Sequence, residues 1–418
     1  MKVAVIGAGA GGLVSARELL REAHEVCVFE QSNQVGGAWV HDSETEDDPL
    51  GIQPVKSIHS SLYDSLRTNL PRDLMAFMDY SFDSHGGGDD HWERYPHHNR
   101  VLEYLKSFSQ HFNIHPLIVF DQRVTNLEVA GDNQWRIKTA SGIDECFDAV
   151  SVCNGHYTLP YVPELDGASN FKGFFLHSHN YRNPQPFSEQ SVAILGAASS
   201  GADISREVAT VAKKVFWCGE QFNSPTEQVN NGLSRHPIPQ GFNQQGELLF
   251  RDSAPVSIDS FIFCTGYRYE FSFIGHDIIS VTDNQVRPLH MDLVHPAHPT
   301  LSFIGLPYLI IPFPLFEMQA RWFARLLTGS HQLPTETKMI VDLVARRSDL
   351  TKTGSKDRHY HRLGEEQFSY INKLASQCGD NPLPEWYELL AREVQQARFV
   401  NPEHYRSVPL HYSGTTVV

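Results

Sequence analysis

Two glycine-rich turns, each between a short apolar run and a helical pattern, constrain the fold of this chain more than any other feature. The first follows "VAVIG" (3–7), where Gly7, Gly9 and Gly12 form a GxGxxG pattern ahead of residues at helical spacing. In such a unit the first glycine makes the tight turn and the second lets the backbone approach a pyrophosphate. The third lets the helix pack closely on the sheet. The sequence therefore predicts a dinucleotide site near its first strand.

The first unit ends on an acidic residue. Glu30 closes the next apolar run, "EVCVFE" (25–30), where a carboxylate accepts hydrogen bonds from the ribose hydroxyls of an adenosine. In the segment that follows, "QVGGAW" (34–39), Gly37 permits another close backbone approach, whereas the residue type of Trp39 by itself favours a core position. The predicted contacts of this nucleotide are Gly7, Gly9, Gly11, Gly12, Glu30, Gly37 and Trp39.

The second turn, "GAASSG" (196–201), repeats the arrangement after another buried run and before another helical pattern. Gly196 and Gly201 are the outer glycines. Ala198 takes the middle position, which makes the backbone approach to a phosphate less close without blocking it. The predicted contacts of the second nucleotide are Gly196, Ala198, Ser199, Ser200 and Gly201.

Glu220, at the end of "KVFWCGE" (214–220), occupies the position in the second unit that Glu30 occupies in the first. An acid at this place suits a free 2′-hydroxyl and repels a 2′-phosphate, whereas an arginine would do the opposite. Glu220 is therefore predicted to contact the ribose of the second nucleotide, and the alternative is that it points to solvent.

Short apolar runs, most of them nearly continuous, predict strands that are covered on both faces, as in a parallel sheet flanked by helices. With the two glycine turns they predict an α/β fold with two Rossmann-like dinucleotide-binding domains. We further expect an exposed loop at 83–91, a connection between domains at about 160–187, and helices over the last 90 residues. The predicted strands are 3–7, 25–30, 147–155, 191–196, 215–219, 260–266 and 301–306.

Composition narrows the classes of protein. The 418 residues suffice for two domains, and the formal charge of −15 argues against nucleic acid or an anionic membrane as the main partner. The six cysteines are scattered without a CxxC pair, which argues against a disulfide framework, a metal site and a disulfide reductase. Because neither a signal peptide nor a membrane-spanning run is evident, we expect a cytoplasmic protein.

Four further segments carry a resemblance to a known family. "FKGFFLHSHNY" (171–181) resembles the FxGxxxHxxxY identifying motif of flavin-containing monooxygenases, and its final tyrosine argues against their Baeyer–Villiger relatives. "SLRTNLPRDLMAFMDYSF" (65–82), "FCTGY" (263–267) and "FEMQARW" (316–322) are similar to other segments of that family. Along almost the whole chain the sequence looks closest to the soluble plant-type S-oxygenating members.

The resemblance implies FAD and NADPH as cofactors and an NAD(P)H-binding domain inserted into the FAD-binding domain. The expected boundaries are 1–165 and 269–418 for the FAD-binding domain and 166–268 for the NAD(P)H-binding domain. Members often carry an arginine where Glu220 stands, so use of NADH stays open. The candidates to hold a 2′-phosphate in place of that arginine are Arg206, Lys213, Lys214 and Arg235.

The resemblance also implies a mechanism, in which the nicotinamide reduces FAD and O2 then gives a flavin C4a-hydroperoxide that oxygenates a soft nucleophile. It implies that Asn69 is the neutral hydrogen-bond donor of the reaction, although an asparagine before Leu-Pro is by itself typical of a turn. His177 is predicted to be structural, and Gln319 is as consistent with helix packing as with the flavin. The remaining predicted cofactor contacts are Thr68, Val124, Gln319 and Thr265.

Three functions stay open on this basis. The first is S-oxygenation of a small thioether or thiol, for example an S-alk(en)yl cysteine. The second is N-oxygenation of an amine or alkaloid by the same chemistry. The third, from a different class, is a non-catalytic dinucleotide-binding sensor.

Overall fold

The computed structural model describes residues 1–53, 58–83, 92–131, 134–222, 227–230, 232–251, 253–354 and 356–412. The loop predicted at 83–91 lies almost entirely outside the described residues. The described α-helices are α1 (Ala10–Arg21), α2 (Arg72–Met75), α3 (His98–His111), α4 (Ser199–Val208), α5 (Pro312–Leu327), α6 (Glu336–Lys352), α7 (Gln367–Cys378) and α8 (Glu385–Val400).

The strands fall in two large sheets and several small ones. They are β1 (Lys2–Ile6), β2 (Glu25–Phe29), β3 (Ile118–Val119), β4 (Val124–Val129), β5 (Trp135–Thr139), β6 (Asp144–Phe147), β7 (Ala149–Val152), β8 (Leu159–Pro160), β9 (Phe174–His177), β10 (Ser191–Leu195), β11 (Lys214–Cys218), β12 (Glu227–Asn230), β13 (Leu233–His236), β14 (Gly241–Phe242), β15 (Leu248–Leu249), β16 (Ser260–Phe263), β17 (Tyr267–Arg268), β18 (Ser280–Thr282), β19 (Gln285–Arg287) and β20 (Leu301–Phe303).

The chain forms two compact units. Unit 1 comprises Met1–Val40, Arg67–Gly155 and Tyr269–Val418, and unit 2 comprises His41–Leu66 and His156–Arg268. Unit 2 is therefore inserted into unit 1 in two pieces, and the shorter piece falls within the segment that the sequence assigned to the FAD-binding domain. The assignment of one cofactor to each unit stays a prediction.

Unit 1 contains a five-stranded sheet in the order β20-β7-β1-β2-β3, in which all neighbours are parallel. Val3, Ala4 and Val5 of β1 are fully buried, as expected for a central strand covered on both faces. One face packs against α1, through Leu13 and other apolar residues, and the other packs against the antiparallel sheet β4-β5-β6, through Trp135 and its neighbours.

Helix α1, which follows the first glycine turn, packs on α5 around buried charges. The Arg17 guanidinium contacts the carboxylates of Glu18 at 2.6 Å and Glu317 at 2.8 Å. Burial disfavours the charged guanidinium, but the two carboxylates outweigh this effect and raise the pKa of Arg17. Because its carboxylate partners compensate the buried charge, the two helices are held in one register.

Unit 2 contains a six-stranded sheet in the order β12-β13-β11-β10-β16-β9, parallel except for the β12–β13 pair. Two apolar clusters cover its faces, one of which contains Ile204 and Val208 of α4. Strand β9 pairs in register with β16, so the predicted connection at about 160–187 is wrong. That segment supplies the edge strand of the sheet, a role that its many prolines and asparagines conceal.

The predicted strands are all present, with ends that differ by a few residues. Both predicted helices after the glycine turns are confirmed. Helices α6, α7 and α8 confirm the helical character of the last part of the chain. Among the described residues, every helix is too short or too polar to cross a membrane.

Candidate cofactor and active site

The first glycine turn is packed so tightly that two of its positions, and a glycine of the segment that faces it, exclude a side chain. Gly7 has φ +105°, and its N–H donates to the carbonyl oxygen of Phe29 at 2.8 Å. A Cβ on Gly12 would lie 1.8 Å from the carbonyl oxygen of Gly7, and one on Gly37 would lie 2.9 Å from the Cα of Gly9. No side chain of the turn therefore covers the first amides of α1, and an anion can approach these N–H groups closely.

Glu30 lies beside this turn and is almost fully buried. Its Oε2 accepts a hydrogen bond from the N–H of Ala8 at 2.7 Å, and its Oε1 accepts from the N–H and the hydroxyl of Ser32, both at 2.8 Å. The carboxylate is therefore fixed in orientation, and it can accept further hydrogen bonds, since an ionised carboxylate has about four acceptor sites. This environment suits the predicted contact with ribose hydroxyls.

Three other predicted contacts of the first nucleotide have ordinary packing roles in unit 1. Gly11 lies in the first turn of α1, where a Cβ would make only normal contacts. Trp39 ends a 3₁₀ helix (Gly37–Trp39) and is half-buried against the apolar cluster around α1, at its edge rather than in its core. Val124 is buried at the start of β4. Their contact with a cofactor stays a prediction.

The Thr68–Asn69 segment is held by three hydrogen bonds. The N–H of Thr68 donates to the carbonyl oxygen of Pro96 at 2.9 Å, and its hydroxyl donates to the carbonyl oxygen of Leu70 at 2.7 Å. The Nε of Arg406 donates to the carbonyl oxygen of Thr68 at 3.0 Å. Asn69 is half-buried and follows Thr68 directly. The hydrogen bonds of Thr68 therefore fix the backbone that leads into Asn69.

Gln319 is fully buried on α5, and its amide supports the turn after β20. Its Oε1 accepts from the N–H of Gly305 at 2.9 Å, and its Nε2 donates to the hydroxyl of Tyr370 at 2.8 Å. The tyrosine in turn donates to the carbonyl oxygen of Met291 at 2.9 Å. The structure therefore shows the helix-packing role, while a contact with flavin stays a prediction.

The second glycine turn reproduces the first in unit 2. Gly196 has φ +124°, and a Cβ on Gly201 would lie 1.8 Å from its carbonyl oxygen, as at the corresponding pair in unit 1. Ala198 precedes α4 with φ −82° and ψ −166°, close to the −79° and −171° of Gly9. Any residue adopts this extended backbone, so the alanine causes no strain. Ser199 and Ser200 open α4.

The strand tip that carries Glu220 differs from the tip that carries Glu30. The N–H of Phe222 donates to the carbonyl oxygen of Gly219 at 3.2 Å, which places Glu220 at the corner of a tight turn, exposed to solvent. The next side chain, Gln221, donates through Nε2 to the carbonyl oxygen of Ala197 at 3.2 Å. The two acids thus match in sequence position but not in environment.

The residues of the FxGxxxHxxxY motif have structural roles within unit 2. Phe171 stacks on Phe242, and the ring of the fully buried His177 makes a 3.1 Å hydrogen bond to the carbonyl oxygen of Gly266 through Nε2. The hydroxyl of Tyr181 donates to Glu207 on α4 at 2.8 Å. The motif therefore fixes the start of β9 and the helix of the second glycine turn. Thr265, whose hydroxyl donates to the carbonyl oxygen of Tyr161, lies next to the glycine that His177 contacts.

The cysteines near the two turns are protonated at neutral pH. Burial raises the pKa of Cys153 to about 11 and that of Cys264 to about 12. All six cysteines are free thiols. Among the described residues, no group of three or more histidine, cysteine or acidic residues could hold a metal ion.

Several residues that support the site gave no signal in the sequence. Arg406 and Tyr370 act from the last third of the chain, and Pro96 and Ala8 act through backbone groups alone. These roles cannot be predicted from residue type, because the two hydrogen-bonding partners are distant in sequence and meet only in the folded chain.

Two mainly parallel sheets, each with a glycine turn that a Cβ would fill at the carboxyl end of an inner strand (β1 in unit 1 and β10 in unit 2), define a protein that binds two dinucleotides. A family model described as flavin-binding monooxygenase-like matches residues 1–223 and 241–406. The chain belongs to this family and is therefore a flavin-dependent monooxygenase. FAD and NADPH, the predicted cofactors, are those of this class.

Individual relatives agree with the family. Flavin-containing monooxygenase FMO GS-OX-like 3 of Arabidopsis thaliana is 40% identical over 418 residues, which cover 97% of this chain and 93% of the relative. FMO GS-OX5 of the same plant is 43% identical over 398 residues, covering 92% and 86%. The structure of S-allyl-L-cysteine S-oxygenase from Allium sativum matches with a TM-score of 0.94 and 40% identity, covering 97% of this chain and 95% of that one.

These similarities confirm the predicted resemblance, the α/β fold and the enzyme class. The alternative of a non-catalytic sensor is not supported, since the family consists of enzymes. The roles of the individual site residues stay predictions.

Proposed function

We propose that unit 1 binds FAD and unit 2 binds NADPH, and that the enzyme oxygenates the sulfur of a small thioether of the S-alk(en)yl cysteine type. One oxygen atom of O2 goes to the sulfur and the other leaves as water, while NADPH supplies the two electrons. The observation that carries this proposal is the 40% identity to S-allyl-L-cysteine S-oxygenase along almost the whole chain, with both nucleotide turns intact.

FAD fits unit 1 because of the turn and the acid beside it. The gap between Gly9 and Gly37 would be filled by a Cβ on the latter, and Glu30 is fixed where an adenosine ribose is expected. The amides at the start of α1 would hold the pyrophosphate. When bound, FAD would supply the acceptor for hydride and the activation of O2.

Asn69 is proposed as the catalytic hydrogen-bond donor. Its Nδ2 is a neutral donor, so it polarises an oxygen atom without protonating an amine or losing its own proton near neutral pH. The three hydrogen bonds of Thr68 fix the neighbouring backbone and thereby limit the positions that the amide takes. A fixed donor costs no reorganisation during the reaction, which is the usual basis of such catalysis.

The test compares Asn69→Ala with Asn126→Ala, a matched removal of an amide from the surface strand β4, where Asn126 contacts Glu128. Anaerobic reduction of the flavin by NADPH should be unchanged in both variants. Under air, the NADPH oxidised by Asn69→Ala should yield mainly hydrogen peroxide and little sulfoxide. Asn126→Ala should give the same products as the parent. An unchanged sulfoxide yield in Asn69→Ala would contradict the assigned role.

The substrate class is tested separately by competition. S-allyl-L-cysteine and a tertiary amine are offered together at equal concentration, and both oxygenated products are measured. Sulfoxide should dominate; a dominant N-oxide would replace the sulfur proposal with N-oxygenation.

We also propose a cytoplasmic location. The free thiols, three of them buried, suit a reducing compartment. Fractionation of the native host should place the enzyme with cytosolic markers, and recovery with membranes or outside the cell would contradict this.

A further inference from the structure

The position of the basic side chains in unit 2 narrows the residues that can bind the 2′-phosphate of NADPH. Lys214 begins β11, with Lys213 just before it, whereas Glu220 lies in the turn after the other end of the strand. At about 3.3 Å per residue, the two ends of the strand, Lys214 and Cys218, are roughly 13 Å apart. Both lysines are therefore at the wrong edge of the sheet for a ribose that binds at the strand tip.

Arg235 lies at the correct edge. It is the penultimate residue of β13 and pairs in parallel register with Trp217 of β11, so the two side chains lie on the same face of the sheet. Its guanidinium carbon lies 5.7 Å from the ring centres of both Trp217 and Phe222. Phe222 closes the turn that carries Glu220, so the guanidinium of Arg235 reaches the strand tip.

Arg206 approaches the same ring from α4, the helix that follows the second glycine turn. Its guanidinium carbon lies 5.7 Å from the ring centre of Trp217, and its Nη1 is 3.9 Å from Asp203, a long and weak pairing. The indole N–H of Trp217 donates to the carbonyl oxygen of Gly196 at 3.0 Å. The ring that both arginines contact is therefore anchored to the turn that would hold the pyrophosphate.

Glu220 does not resemble its counterpart in unit 1. Glu30 is buried and bonded to an amide of its glycine turn, whereas Glu220 is exposed at a turn corner. An exposed carboxylate in water exerts little force on a phosphate nearby, because the solvent screens it.

We propose that Arg235, with Arg206 beside it, binds the 2′-phosphate of NADPH, and that Glu220 does not determine the choice of cofactor. The guanidinium group is suited to this task, since its N–H groups bind phosphate oxygens in pairs. This inference rests on the proposed binding of NADPH in unit 2, but it concerns different residues from the oxygenation step.

The test measures binding of adenosine 2′,5′-bisphosphate and of adenosine 5′-monophosphate to the flavin-loaded enzyme by calorimetry, alongside the KM values for NADPH and NADH. Arg235→Gln should weaken binding of the bisphosphate and raise the KM for NADPH by about tenfold or more, since a charge-assisted pair is lost. Binding of the monophosphate and the KM for NADH should stay within about twofold, because they lack the phosphate concerned.

Three further variants sharpen the result. Arg235→Lys should retain part of the discrimination, because it keeps the charge but loses the paired hydrogen bonds. Arg206→Gln should give a smaller loss in the same direction. Lys214→Gln, which removes an equal charge from the opposite edge, should behave as the parent.

The inference is overturned if the parent binds both adenosine nucleotides equally, or if Lys214→Gln weakens the bisphosphate as much as Arg235→Gln does. It is also overturned if Glu220→Gln abolishes use of NADH while Arg235→Gln and Arg206→Gln leave binding of the bisphosphate and the KM for NADPH unchanged. Glu220 would then bind the ribose. Because the binding assay needs no oxygenation, its outcome is independent of whether the enzyme acts on sulfur.

Discussion

Residues at matching sequence positions of the two units meet different surroundings. Gly9 faces the backbone of Gly37 closely, whereas Ala198 adopts the same backbone conformation in the open. Glu30 is buried and bonded, and Glu220 is exposed. A Cβ on Gly9 would lie 3.4 Å from the Cα of Gly37, an ordinary contact, whereas a Cβ on Gly37 would lie only 2.9 Å from the Cα of Gly9. The folded chain therefore requires the glycine at 37 rather than at the middle of either turn, and Ala198 carries little cost.

Asp292 is the residue whose protonation is expected to matter most for stability in acid. It is fully buried, and its carboxylate contacts Arg346 at 2.8 Å and His361 at 2.9 Å. Burial alone would raise its pKa, but the charge of Arg346 together with His361 more than offsets this and holds the pKa of Asp292 well below its usual range.

A lowered pKa in the folded state stabilises the protein above the unfolded pKa of about 3.9, and the stabilisation is lost as the pH falls below it. Asp292→Asn should therefore cost about 3 kcal/mol of unfolding free energy at pH 7, because a buried ion pair is broken. The difference from the parent should shrink as the pH falls below about 4 towards the lowered pKa of Asp292 in the folded state. Urea unfolding of both proteins at several pH values checks this. A difference in unfolding free energy that stays constant with pH would contradict it.

At the scale of elements, α1 and α5 are joined by the buried Arg17–Glu317 pair. The first helix presents the glycine turn and the second carries Gln319, so their register positions both ends of the predicted flavin site. A buried pair of this kind contributes more to fixing a register than to net stability, since desolvation offsets much of its attraction.

Arg17→Met should destabilise the protein by about 3 kcal/mol, because the buried carboxylates of Glu18 and Glu317 lose their most buried partner and keep only more exposed arginines, Arg321 for both and Arg21 for Glu18. Glu317→Leu should cost a comparable amount, since it leaves the guanidinium less well compensated. The double variant should cost clearly less than the sum, because each single variant already loses the Arg17–Glu317 contact and the double variant loses it only once. Chemical unfolding of the four proteins closes this cycle; strictly additive losses would show that the pair does not act as a unit.

At the scale of the whole molecule, each unit has its own sheet, its own glycine turn and its own apolar clusters. The two nucleotide sites should therefore fail separately when their turns are altered, because each turn is closed by backbone of its own unit.

Gly201→Ala should abolish binding of NADP⁺ and of adenosine 2′,5′-bisphosphate, since its Cβ would lie 1.8 Å from a carbonyl oxygen of the turn. The purified variant should keep its full content of FAD, read from the ratio of flavin to protein absorbance. Gly131→Ala, where a Cβ meets no atom within 4 Å, is the control and should keep both ligands. Loss of FAD in Gly201→Ala would show that the two sites depend on each other.

The sequence by itself determined the α/β class, the two strand–turn–helix units and their glycines, because these depend on spacing and turn geometry within a few residues. The connection between domains predicted at 160–187 is wrong, because the edge strand β9 in this segment is defined only by its pairing with β16. The sequence also left open the roles of Glu220 and Gln319. Only the tertiary structure decided that Gln319 supports Gly305 and that Arg235 reaches the strand tip, because both depend on segments that are distant in sequence and meet only when the sheet and its helices close.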